Sequence, residues 1–86
     1  SMEYAKSDIL ERLLIEARVE ADRVILELQR AMEASPGLLK QGEAVMFEAQ
    51  IKTLKAAMGG TDRERIDYEV HRLHEIVGPF AERRMN

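Results

Sequence analysis

The sequence predicts an all-α protein: an antiparallel three-helix bundle forming one domain over residues 1–86, with an overlong first helix and a kinked or broken end of the third. Apolar residues recur three and four positions apart along most of the chain, which places them on one face of a helix. Two breaks, Ser35-Pro36-Gly37 and Gly59-Gly60, divide this pattern into three segments. Helices that each carry one apolar face can bury those faces only against one another.

The first predicted helix covers about residues 4–34 and would be about 45 Å long at 1.5 Å per residue. Its apolar stripe consists of Leu10, Leu14, Ala17, Ala21, Val24, Leu28 and Ala31. Helices of globular domains usually run about 8–20 residues. We therefore expect the first helix to extend past its shorter partners at its amino end, as it would if it had been cut from a larger protein.

The second predicted helix covers about residues 41–58, and its stripe consists of Ala44, Phe47, Ile51, Leu54 and Met58. Gly59 stands where a left-handed glycine would end the helix. The start is less clear, because Lys40 lies where a serine, threonine or aspartate cap is expected.

The third predicted helix covers about residues 62–85, and its stripe consists of Ile66, Val70, Leu73, Val77 and Phe80. Thr61 and Glu64 have the spacing of a capping box, in which each side chain accepts a backbone N–H of the other. Pro79 cannot donate to the Glu75 carbonyl, so the helix should bend or restart near Gly78. The last turn would then fold Phe80 over the end of the bundle.

The composition excludes several classes of partner. Sixteen acidic and thirteen basic side chains give a net charge of −3, which offers no basic surface for nucleic acid or an anionic membrane. The chain has no cysteine, hence no disulfide and no thiolate metal site, and no apolar run approaches the ~20 residues that span a bilayer. We expect a soluble, reducing, cytoplasmic setting.

No motif for catalysis or cofactor binding is found, and we expect no catalytic residue, no cofactor-binding residue and no metal ligand. His71 and His74 lie three residues apart beside Glu75 and could share a metal ion, but the pattern suggests no third ligand. Solvated histidines are the simpler interpretation. Three arginines of the first helix have an acidic residue four positions later and are expected to form solvated ion pairs: Arg12–Glu16, Arg18–Asp22 and Arg23–Glu27.

A second apolar strip lies opposite the core stripe of the first helix. At ~100° per residue, Ile15, Val19 and Leu26 fall within about 40° of one another. Isolated exposed aliphatic residues are ordinary on protein surfaces, so the strip could be silent. Alternatively it is a contact surface, either for another part of a larger protein or for a second copy of this chain. Ile9 and Leu13 widen the apolar face toward the amino end.

The order of these segments resembles a known family. A long first helix containing "EARVEADRVILEL", a "GGTDRERI" break and the ending "FAERRMN" are similar to the C-terminal helical lid of the DnaK-type seventy-kilodalton heat-shock chaperones. Within that family the resemblance is greatest to the bacterial HscA branch, which is devoted to iron–sulfur cluster assembly. It covers essentially the whole chain, although the middle helix matches only in its apolar spacing. Lys40 and Gly78-Pro79 depart from the family pattern.

The resemblance implies a mechanical role, as a lid that closes over a bound client in the ADP state and swings away when ATP binds. It implies that the segment itself holds no cofactor, and that ATP with magnesium binds a separate domain of the parent chaperone. The implied partners are the β-sandwich subdomain of the same parent chain, an iron–sulfur scaffold protein as client and a J-domain co-chaperone. The alternative is an autonomous helical module for protein–protein interaction or self-association.

Overall fold

The fold consists of three helices joined by two short connections. A computed structural model of the chain describes residues 2–86, with side chains from residue 5 onward. Helix α1 spans Met2–Ala34, α2 spans Glu43–Met58 and α3 spans Arg63–Met85, with a single 3-10 turn at Pro36–Leu38 in the first connection. No strand occurs among residues 2–86. The all-α fold class is therefore confirmed.

The overlong first helix is confirmed as well. Helix α1 has 33 residues, or about 50 Å at 1.5 Å per residue, whereas α2 has 16 residues and α3 has 23. The molecule measures 55 × 22 × 17 Å, so its longest dimension is set by α1 alone.

One apolar core is shared by the three helices. Phe47, Leu54, Ile66, Leu73 and Phe80 are the largest fully buried side chains. The remaining buried apolar residues are Ala17, Ala21, Val24, Ile25, Leu28 and Ile51. All of these except Ile25 belong to the predicted stripes. The small residues Ala17 and Ala21 let α1 approach the other two helices, whose core side chains are larger.

A tight turn precedes α2, which begins two residues later than expected. The Glu43 N–H donates to the Lys40 carbonyl at 3.1 Å, and Gly42 between them has φ +83° and ψ −12°. These angles are those of the third residue of a type II turn, where glycine is favoured because it has no Cβ. The Glu43 carboxylate then accepts the Lys40 N–H at 2.7 Å, which closes the turn without a serine, threonine or aspartate cap.

The expected left-handed glycine at the end of α2 is wrong. Gly59 has φ −74° and ψ −13°, in the right-handed helical region. The helix instead tightens, since the Gly60 N–H donates to the Ala57 carbonyl three residues back at 3.0 Å. The Met58 and Gly60 carbonyls accept hydrogen bonds from Arg18 of α1.

The capping box at the start of α3 is also wrong, by one residue. Asp62, not Thr61, is the cap: its Oδ1 accepts the Arg65 N–H at 3.2 Å, and its φ of −90° and ψ of 96° are those of an extended residue. Glu64 therefore lies at the second helical position and cannot complete the box, which needs a glutamate at the third. Thr61 and Asp62 are adjacent, and either side chain could cap the helix. Only the last extended residue before the helix can do so, and that residue is Asp62.

No break occurs at Gly78-Pro79, because α3 continues through Pro79 to Met85. Pro79 is exposed, and so is Glu75, whose carbonyl loses its partner. A bend or a restart was expected from the lost hydrogen bond. The helix does not restart, since on the solvent side water can replace that bond, and a bend stays a prediction. Phe80 is completely buried one residue later and fixes the last turns against α2, with its ring centroid 5.8 Å from that of Phe47.

Polar contacts fasten the carboxyl end of α3 to the rest of the chain. Arg83 forms a largely buried ion pair with Glu43 of α2, and its guanidinium lies 5.9 Å from the Phe80 ring centroid. Arg84 donates its Nε–H to Ser35 Oγ at 3.1 Å. Both arginines lie in the last turn of α3, where their positive charge is also favourable at the negative end of the helix dipole.

Candidate interaction surfaces of the first helix

The amino-terminal turns of α1 extend beyond the other helices. Every side chain from residue 5 to residue 12 is exposed, and the first buried one is Ala17. Ile9 is 56% exposed and Leu10 is 62% exposed, whereas Leu13 is half-buried. Leu10 was predicted to be a core residue, and this is wrong, because α2 and α3 do not reach that far along α1.

Ile9, Leu10 and Leu13 form what we call the overhang face. At ~100° per residue Leu10 and Leu13 lie within about 40° of Ala17, so they continue the core stripe past the end of the bundle, and Ile9, about 80° from Ala17, widens it on one side. An apolar helix face that continues beyond the helices that cover it is unusual on a monomeric domain and is typical of an interaction surface.

The outer strip of Ile15, Val19 and Leu26 lies in solvent as the periodicity suggested. The three side chains are 52%, 64% and 46% exposed. All three lie on α1, and none belongs to the buried core. Whether the outer strip binds a partner stays a prediction.

An exposed ion-pair network lies between the outer strip and the core face of α1. Arg23 donates to Glu20 and to Glu27, which forms the predicted Arg23–Glu27 pair. The hydrogen bond from Arg23 lowers the pKa of Glu20, and the charges of Arg23 and of His74 on α3 act in the same direction. The two carboxylates in turn raise the pKa of Arg23. Pairs this exposed contribute little to folding.

Arg18 makes the most specific polar contact of α1, and it is not the predicted one. Its Nε–H donates to the Met58 carbonyl at 3.0 Å and its Nη2–H donates to the Gly60 carbonyl at 2.7 Å. The predicted Arg18–Asp22 pair is therefore absent. Arg12 and Glu16 form no ion pair within residues 5–86 either. Sequence spacing missed the role of Arg18, because its acceptors are backbone carbonyls about 40 residues away along the chain.

The two histidines do not converge on a common site. His71 lies on the outside of α3, with its Nε2 3.3 Å from Glu75 Oε1. His74 faces α1, in the groove that Glu27 and Leu28 also line. Within residues 5–86 no group of three or more histidine, cysteine, aspartate or glutamate side chains is placed to hold a metal ion.

Two of the solvent-open grooves between helices involve α1. One lies between α1 and α2, has a volume of about 620 Å³ and is lined by Met32 and Ile51 with lysines and glutamates at its rim. The other, of about 230 Å³, follows the seam between α1 and α3 over Val24, Val77 and Phe80. Along the described part of the chain, no helix is both long and apolar enough to cross a bilayer.

Curated proteins similar to this chain are chaperones. "Chaperone protein HscA" of Klebsiella pneumoniae (strain 342) is 36% identical over 86 residues, which is 100% of this chain and 14% of that protein. The "Chaperone protein HscA homolog" of Shewanella putrefaciens is 38% identical over 86 residues, again 100% of this chain and 14% of the relative. The homolog of Pseudomonas aeruginosa (strain LESB58) is 36% identical over 87 residues, with the same coverage. No protein-family model matches the chain.

The chain thus spans 14% of the length of the curated relatives that it matches, at their C-terminal portion. The similarity includes all three helices, because the whole chain is covered. The predicted resemblance is confirmed: over its whole length this chain is homologous to the C-terminal portion of HscA chaperones.

Proposed function

We propose that this chain is the lid of the substrate-binding domain of an HscA-like chaperone, which closes over a bound client and slows its release. The observation that carries the proposal is the overhang face, which continues the core stripe of α1 beyond the bundle in a chain that is homologous to HscA along its whole length. A lid needs a stiff arm and a docking surface at one end of it. In this proposal α1 is the arm, and the overhang face at its amino end is the docking surface.

The docking surface of the lid would be the overhang face, and its partner the β-sandwich subdomain of the same parent chain. Burying a fully exposed isoleucine or leucine contributes roughly 1.5–3 kcal/mol, so the half-exposed Ile9 and Leu10 would contribute about 1 kcal/mol each. A docking free energy of a few kcal/mol holds a lid closed most of the time. It is also small enough for a change in the parent's nucleotide state to reverse it.

The remainder of the chain would give the lid bulk and stiffness. The α2–α3 hairpin packs against the carboxyl half of α1 through a core that includes Leu28 and Phe80. A client that leaves past a closed lid must displace this whole body or wait for the docking contact to open.

We propose no catalysis for this segment. ATP with magnesium would bind the nucleotide-binding domain of the parent, in a cytoplasmic setting. The resemblance to HscA supports an iron–sulfur scaffold protein as the client and a J-domain protein as the co-chaperone that delivers it. These partners would be selected by the parent's other domains as well as by the lid.

A chimera tests the proposal. The C-terminal portion of Klebsiella pneumoniae HscA that aligns with this chain is replaced by this chain, and the dissociation of a fluorescent peptide known to bind the host is followed in ADP. We expect the chimera to release the peptide about as slowly as the intact host and clearly more slowly than a host lacking the portion. Release as fast as from the lidless host would refute the proposal.

The outer strip favours a second candidate function, that of a self-associating or adaptor module. Its support is the exposure of Ile15, Val19 and Leu26 on a face that the bundle does not use. Sedimentation distinguishes this function from the lid, as set out in the Discussion.

A further inference from the structure

We propose that Arg18 is a latch that couples the seating of α1 to the order of the α2–α3 connection. The two hydrogen bonds from Arg18 to the Met58 and Gly60 carbonyls join α1 to the point where α2 ends and the chain turns toward α3. The connection is then ordered only while α1 lies against the hairpin. This inference does not depend on the proposed lid function.

The end of α2 needs an external partner. Helices leave their last carbonyls without intrahelical donors, and a left-handed glycine commonly helps to satisfy them. Gly59 is not left-handed, and no backbone N–H of residues 2–86 is hydrogen bonded to the Met58 or Gly60 carbonyl. Arg18 donates to both, and its positive charge also lies at the negative end of the α2 dipole.

Arginine suits this task better than lysine. Its planar guanidinium holds Nε–H and Nη–H donors in fixed directions, so one side chain can serve two carbonyls at once. Arg18 is half-buried, and its hydrogen bond to the Met58 carbonyl is partly shielded from competing water, whereas the one to the Gly60 carbonyl is exposed. A lysine at this position would keep the charge but would lose the two N–H donors held in fixed directions.

The latch matters because α1 has few other polar contacts with the hairpin. Among residues 5–34, Arg18 is the α1 side chain that forms hydrogen bonds with α2 or its connection to α3. The hairpin has its own polar fastening, since Gln50 Nε2 donates to Glu69 Oε1 at 3.2 Å and to the Glu69 carbonyl at 3.0 Å. If α1 moves away, α2 and α3 can stay paired while their connection loses its cap.

Amide hydrogen exchange of the 86-residue chain tests the latch, with circular dichroism to check that each variant is folded. In Arg18→Lys we expect the Gly59, Gly60 and Arg65 amides to exchange about tenfold faster, as for the loss of a charge-assisted hydrogen bond. The Leu73 amide in the middle of α3 should change much less. Arg23→Lys is the matched control, because Arg23 lies on the same helix but contacts only Glu20 and Glu27, and it should leave the connection unchanged.

A second variant tests the coupling itself. Leu28→Val weakens the seating of α1 about three turns from Arg18, at a residue that is 5% exposed. If the packing of α1 against the hairpin is coupled to the Arg18 hydrogen bonds, this distant change also speeds amide exchange at Gly59 and Gly60. Unchanged exchange there in either variant, or an equal acceleration at Leu73 and throughout the three helices, would overturn the proposal.

Discussion

The ring of Phe80 lies 5.8 Å from the ring of Phe47 and is tilted 45° to it, with both side chains completely buried. This contact explains why α3 continues through Pro79. The aromatic pair fixes the last turns of α3 against the first turns of α2, and a proline on the exposed side costs only one hydrogen bond that water can replace.

Replacing Phe80 should therefore destabilise the fold far more than replacing its neighbour. Phe80→Ala is expected to lower the free energy of unfolding by about 3–5 kcal/mol, which a domain of this size can scarcely tolerate. Pro79→Ala should raise it, by up to about 3 kcal/mol, because a helix hydrogen bond is restored. Urea unfolding followed by circular dichroism measures both changes. A destabilising Pro79→Ala would show that the proline shapes the helix end in a way that the Phe47–Phe80 contact does not explain.

The cap of α3 gives a second test, between two adjacent residues. Asp62→Ala should lower the free energy of unfolding by about 1 kcal/mol, since it removes the acceptor of the Arg65 N–H. Thr61→Ala should change it by less than about 0.5 kcal/mol, because Thr61 is exposed and precedes the cap. Thermal unfolding of the two variants is the measurement. The reverse order of effects would restore the capping box that the sequence suggested.

The exposed carboxylate of Glu20 predicts a small pH dependence. Its pKa in the folded chain lies below the ordinary value of 4.5, chiefly because Arg23 donates a hydrogen bond to it. A carboxyl group with a depressed pKa stabilises the fold above its unfolded pKa, and this contribution disappears as the pH falls through the folded pKa. The melting temperature of the wild type should thus exceed that of Glu20→Gln slightly at pH 7.

The difference between Glu20→Gln and the wild type should shrink on acidification from about pH 4.5 downward, the range in which the carboxylate protonates. It should also shrink in 1 M salt, because both partners are exposed and salt screens them. A difference that is the same at pH 7 and pH 3 would mean that the charge of Glu20 contributes nothing.

The buried residues of the structure show how far the sequence predicts this fold. Periodicity located the core, because the identity of a buried helix face is a local property: Ala21, Leu54 and Leu73 are buried as expected. It could not locate the limits of the core. Leu10 lies on the correct face, but its exposure depends on where α2 and α3 end in space.

The candidate surfaces were predicted to a similar extent. The spacing of Ile15, Val19 and Leu26 was sufficient to place them on one exposed strip, since nothing beyond the helix period is needed. Arg18 was missed, because its partners are carbonyl groups, which every residue carries and no sequence pattern marks. Only the structure reveals that neither Gly59 nor Gly60 has the positive φ that would end α2 without a donor from another helix.

Sedimentation tests whether the outer strip is an interface. On the lid account we expect the isolated chain to sediment as a monomer of 9.8 kDa, and the double variant Ile15→Glu, Val19→Glu to behave in the same way. The charges would be solvated, because both positions are exposed. A wild-type dimer that the double variant abolishes would instead favour the self-associating module.

The most direct test of the central claim is the rate at which the HscA chimera releases a bound peptide in ADP. Two glutamate variants of the chimera are compared. Leu10→Glu places a charge on the overhang face, and Val45→Glu places one on the outside of α2, where the side chain is 72% exposed. If the overhang face holds the lid closed, Leu10→Glu speeds peptide release about tenfold or more and Val45→Glu leaves it unchanged. Equal release rates from the two variants and the parent chimera would contradict the account.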